Sequence, residues 1–204
     1  MLQLGAKFIS YLLHPLLMPT WLFGILLCFS PSLIQGKQLG VYILVLIFGM
    51  TFFLPLLNLF FFKMTGTIQS FHLPTSRERV LPFILITLVY AAITLMFYWK
   101  MPVVPIYFKL MIIATMLSAA VTILNFFFKI SAHAVGMSGL VGILLAMAQL
   151  ASISELIFPS VVVVVLAGAT MSSRLLLNAH DLREVGWGGA VGLGVGIGGV
   201  VGLF

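Results

Sequence analysis

The chain has 204 residues, of which 62% are hydrophobic and 7% charged, with ten Lys+Arg, four Asp+Glu and a formal net charge of +6. So few polar groups cannot clothe a water-soluble globule of this size, and the cations are scattered between apolar runs instead of forming an aromatic-studded basic platform. A soluble enzyme and a nucleic-acid-binding protein are both excluded, and the expectation is an integral membrane protein whose basic residues meet lipid headgroups.

About 20 apolar residues cross the roughly 30 Å hydrocarbon core of a bilayer. Runs of that size fall near 10–30, 39–62, 80–99, 106–128, 133–150, 156–172 and 185–204. They predict an all-α fold, a bundle of six to seven transmembrane helices in one domain over 1–204. Barrel strands are excluded because the short alternating segments they need are absent, and backbone groups in lipid must be satisfied within the segment.

The first run contains His14, Pro15 and Pro19 and lacks a small-residue cleavage site, so it reads as a retained span kinked near its start, with His14 as a packing residue. Its Cys28 is the sole cysteine, which excludes an internal disulfide and also reads as packing. Before the third run stands TSRERVLP, Thr75 to Pro82, with the proline in the first helical turn. Arg77 and Arg79 diverge on a helix; Arg79 is expected to face a site, and Arg77 is a further candidate ligand. The fifth run opens from KISAHAVG, Lys129 to Gly136, where Ser131 suits a helix N-cap and leaves backbone N–H groups beside His133.

SRLLLNAHDLREV, Ser173 to Val185, joins the sixth and seventh runs and gathers Arg174, His180, Asp181, Arg183 and Glu184. If the last helix starts near His180, that residue and Glu184 share a face, while Asp181 points about 100° away and is left to capping. Within the last run, Gly188, Gly192 and Gly196 are spaced for close helix approach. GVGIGG, Gly194 to Gly199, formally fits GxGxxG, but it lies inside an apolar span with no preceding strand and is discounted. Trp21, Trp99 and Trp187 fall near span ends, as interfacial anchors do.

Alternating crossings put the N-terminus and the second, fourth and sixth connections on one side. That side holds all four arginines, three of the four histidines (His72, His133, His180) and three of the four acids (Glu78, Asp181, Glu184). Histidine, arginine and carboxylate on one face are the parts of metal-free phosphoryl transfer. Arginines neutralise phosphate oxygens, one imidazole attacks phosphorus, a carboxylate stabilises it, and the other imidazole protonates the leaving oxygen. No metal-ligand spacing such as HExxH occurs, so neither metal nor cofactor is expected.

These residues resemble the type 2 phosphatidic acid phosphatases, or lipid phosphate phosphatases. The family's SRx5Hx3D motif is similar to Ser173-Arg174, His180 and Glu184, followed by Val185, Gly188 and Gly192. Its PSGH motif resembles Ile130-Ser131-Ala132-His133, and its Kx6RP motif is echoed by Arg79 and Pro82, with His72 where the lysine would stand. The motif-bearing core is 75–204. The departures are Glu for Asp at 184, Ala for Gly at 132, and the missing ammonium, for which Arg77, His72 or Lys63 could substitute.

The resemblance implies His180 as nucleophile, Glu184 as its orienter, His133 as general acid, and Arg79, Ser131 and Arg174 as phosphate ligands. It implies hydrolysis of a lipid phosphomonoester or polyprenyl diphosphate through phosphohistidine, in a bacterial inner membrane. The implied partners are the bilayer and a lipid phosphate. The competing expectation is an inactive relative, or a membrane protein that binds or transports phosphorylated lipid. Side preference is divided: the cation count favours a cytoplasmic site, the resemblance an extracytoplasmic one.

Overall fold

The computed structural model describes residues 2–67, 76–150 and 153–204, without the side chains of 76, 77 and 150. Nine α-helices lie among the described residues: α1 Leu2–Leu12, α2 Met18–Phe29, α3 Lys37–Phe48, α4 Leu54–Met64, α5 Ser76–Lys100, α6 Pro105–Phe127, α7 Ala132–Leu150, α8 Ile157–Leu176 and α9 Leu182–Leu203. No strand occurs there. Seven helical units are long and apolar enough to cross a membrane, α1 with α2 and α3 with α4 each forming one unit. The all-α membrane bundle expected from hydropathy is therefore what the chain forms.

The prolines explain the breaks. His14 is extended (φ −65°, ψ 138°) because the ring of Pro15 disfavours helical geometry in the residue before it. The chain then makes a 3-10 turn over Pro15–Leu17, and the His14 side chain caps it by accepting the Leu16 N–H at 3.3 Å. The first unit accordingly starts at Leu2, not near residue 10, and α1 packs chiefly on α8. In the second unit a π turn, Gly49–Phe53, precedes Pro55. Pro55 has no N–H for the carbonyl of Thr51 four residues back, and the Tyr90 hydroxyl reaches that oxygen at 3.5 Å.

Pro82 is interior to α5, not in its first turn as the sequence suggested, while the last helix does start near His180, at Leu182, with Asp181 as its N-cap and His180 just outside it. In both places hydropathy marks where lipid begins, whereas caps and backbone bonds set where the helix begins. Cys28 is exposed on the bundle's outer surface, contrary to a packing role.

α7 is the most enclosed span, and α9 lies directly against it. A Cβ on Gly192 would collide with the Val135 carbonyl, one on Gly196 would lie 2.5 Å from the Gly139 carbonyl, and one on Gly188 would lie 2.9 Å from the Ala134 Cβ. The glycine spacing therefore gives backbone-to-backbone packing. α5 and α6 are joined differently, by hydroxyl pairs: Thr87 with Ser118 (2.8 Å) and Thr122 (2.9 Å), and Thr94 with Thr115 (3.0 Å).

Candidate functional site

α8 runs out at Leu176 into a turn closed by bonds from Asn178 N–H to the Leu175 carbonyl (3.0 Å) and from Ala179 N–H to the Arg174 carbonyl (3.1 Å). Asn178 takes the left-handed conformation (φ 50°) that asparagine tolerates better than most residues. Asp181 then caps α9 by accepting the Glu184 N–H at 2.7 Å, the capping role expected of it. His180 is thereby buried at the junction, 8% exposed, although it lies outside the helix.

His180 Nδ1 donates to Glu184 Oε2 at 2.6 Å. Burial pushes the imidazole down to about 4, helped by the charges of Arg79 and Arg174, while the bond to Glu184 opposes the fall. At neutral pH the ring is uncharged. Its proton is on Nδ1, held by the carboxylate, and Nε2 keeps its lone pair.

Glu184 is fixed from a second direction. Lys129 Nζ lies 3.7 Å from the same Oε2 and donates to the Ala179 carbonyl at 2.9 Å. The Ser131 N–H donates to the Glu184 carbonyl at 3.3 Å. These contacts require α7 and α9 to approach closely, which Gly188 permits opposite Ser131 and Ala134. The Ser131 hydroxyl accepts the Ala134 N–H at 3.4 Å, so the residue caps α7 as expected and both its groups have local partners.

Arg174 reaches from α8 to α1, where one Nη donates to the Ser10 hydroxyl at 3.4 Å. Its Nε is buried and has no hydrogen-bond partner among the described residues. Arg79, from α5, lies within electrostatic range of Glu184, Arg174 and His180. His133 Nε2 donates to the Ser10 carbonyl at 3.0 Å, and its ring meets that of His14 edge-on, centroids 5.4 Å apart.

His180, Glu184, His133, Ser131, Arg174 and Arg79 thus come together from α5, α8, the α8–α9 turn and the starts of α7 and α9. The Arg77 side chain and His72 lie outside the described residues. Sequence reasoning missed Ser10 and Lys129 and left His14 as packing. Lys129 opens the same quoted stretch as His133 and was visible as a cation on the correct side; nothing in the sequence singled out Ser10.

The arrangement supplies a buried neutral imidazole with an anchored carboxylate, two guanidiniums and a second imidazole at one end of a helical bundle. No family model, curated protein or solved structure matches the chain.

Proposed function

We propose that the protein is a lipid phosphatase acting on a phosphomonoester or polyprenyl diphosphate without a metal. The observation that carries this reading is the 2.6 Å bond between His180 and Glu184, which leaves Nε2 of a neutral imidazole as a nucleophile beside two arginines. The buried Arg174 Nε, without a hydrogen-bond partner among the described residues, is a donor suited to a phosphate oxygen.

In the first step His180 Nε2 attacks phosphorus, the P–O bond to the lipid breaks, and its oxygen takes a proton from His133. Arg174 and Arg79 neutralise the phosphoryl oxygens, and Glu184 stabilises the imidazolium as its charge develops. Water then attacks phosphorus, His133 takes its proton, and the P–N bond breaks to release phosphate and restore His180.

A lipid substrate is favoured by a half-open apolar pocket lined by Pro15, Leu22, Tyr90, Leu117, Val135 and Leu140 among others. It includes Ala132, the neighbour of His133, so a hydrocarbon chain seated there brings its headgroup toward the cluster. In this reading the site faces the extracytoplasmic side of a bacterial inner membrane, as the motif resemblance implies; with the phosphate-binding arginines set aside the cation count is nearly even and does not oppose it. Cysteines introduced across 63–78 and labelled from one side decide that orientation.

The direct test is phosphate release from mixed lipid phosphates by detergent-purified protein in EDTA. Wild type releases phosphate, and His180→Ala and Arg174→Ala do not. Equal release by the variants, or binding of lipid phosphate without release by wild type, replaces the enzyme with a binding or transport protein.

A further inference from the structure

The break at His14-Pro15 has a chemical consequence at Ser10. In a continuous helix the Ser10 carbonyl would accept the N–H of residue 14, four positions on. His14 is extended ahead of Pro15, and the last helical bond of this kind runs from Leu13 N–H to the Ile9 carbonyl at 2.9 Å. The Ser10 carbonyl is left as an acceptor inside the bundle, in a residue 6% exposed. His133 Nε2 occupies it at 3.0 Å. The hydroxyl of the same residue takes one Nη of Arg174 at 3.4 Å.

Resting on the phosphatase reading, we propose that Ser10 is a positioning residue, joining the general acid on α7 to the phosphate-binding arginine on α8. Its two oxygens act differently. The carbonyl commits Nε2 of His133 to carry a proton, so the proton exchanged with the leaving oxygen, and later with water, travels on Nδ1. The hydroxyl holds an outer nitrogen of Arg174, which fixes the guanidinium plane and leaves the buried Nε to face the anion. His14 supports both by capping the turn that creates the break and by packing its ring against His133. α1 thus becomes a wall of the site, although no part of the recognised motif pattern lies on it.

The experiment measures binding of inorganic phosphate by the full-length, detergent-purified protein calorimetrically, alongside lipid-phosphate kinetics. Ser10→Ala removes the hydroxyl and keeps the carbonyl, so phosphate Kd and KM should both rise about tenfold while kcat changes less. Ser10→Thr, which restores a hydroxyl, should recover to within about twofold. The carbonyl contact is tested separately: His133→Gln places an amide donor near the Nε2 position and should keep the thermal midpoint above that of His133→Asn, which falls short. If Ser10→Ala does not fold, Ser10→Cys takes its place. Wild-type binding with unchanged Kd in the folded hydroxyl-less variant overturns the role of Ser10 and leaves the phosphatase reading standing. Wild type that binds no phosphate overturns the site reading, and this inference with it.

Discussion

The α7–α9 seam and the α5–α6 seam solve the same problem, joining two helices within lipid, by opposite means. Between α7 and α9 the glycines remove side chains, and the backbones touch. Between α5 and α6 side chains make the contact, hydroxyl to hydroxyl, through pairs of threonine and serine. Lipid gives no hydrophobic reward for helix association, so packing and hydrogen bonding must provide it. The difference matters for the site: the glycine seam holds His180, Glu184, Ser131 and His133 with no slack, whereas Arg79 arrives on the seam held by adjustable side chains.

The largest effect expected is at the glycine seam. Gly192→Leu puts a branched side chain into the Val135 carbonyl, and the protein should fail to fold or lose its site entirely, as read by detergent-stable monodispersity and phosphate release. Unchanged stability and turnover would refute backbone packing as the organising contact. Next comes Glu184→Gln, which fills the same space but removes the charge that, in the proposed reaction, stabilises the imidazolium. Turnover should fall by about 10²-fold or more with folding intact.

The pH dependence sharpens the same side of the contrast. Because the His180 imidazole is held down to about 4, it is neutral through the range in which an ordinary histidine, near 6.5, would protonate. The acid limb of kcat/KM assigned to His180 should therefore fall near pH 4, after correction for ionisation of the substrate phosphate. The stability contribution follows the same sign. It is fully present above about 6.5, where the ring is neutral in both states, and is lost as pH falls toward 4 because only the unfolded chain takes up the proton. A limb near 6.5 would show that burial does not govern this group.

Lys129→Ala should have a smaller effect, a few-fold loss of turnover, since it frees the turn at Ala179 and one side of the Glu184 carboxylate while the His180 bond remains. The smallest belongs to the hydroxyl seam. Thr115→Val removes one of several pairs and should cost about 0.6 kcal/mol, measured as a shift in the thermal midpoint. A loss as large as that of Gly192→Leu would erase the distinction between the two seams.

Much of this was legible from one dimension. Hydropathy located seven spans because bilayer thickness imposes a length on any helix that crosses it, and alternate crossings put the polar residues on one side without coordinates. The spacing of Gly188, Gly192 and Gly196 announced the close seam, and the four-residue separation of His180 and Glu184 announced their bond. That bond forms even though His180 lies outside the helix, because the Asp181 cap and the turn at Asn178 bring it to the right place.

Contacts between distant segments were not legible. Ser10 and His133 are 123 residues apart, and Ser10 and Arg174 are 164 apart. No periodicity or motif links such positions. The His14-Pro15 break was visible as a kink, but which group would claim the freed carbonyl depended on where α7 and α8 pack. Sequence by itself determined the medium, the number of crossings and the local pairings, since these follow from transfer to lipid and from helix geometry. Only the tertiary structure decided that Ser10 of α1 meets His133 and Arg174 and that Lys129 shares the Glu184 oxygen, because both depend on helices meeting in three dimensions.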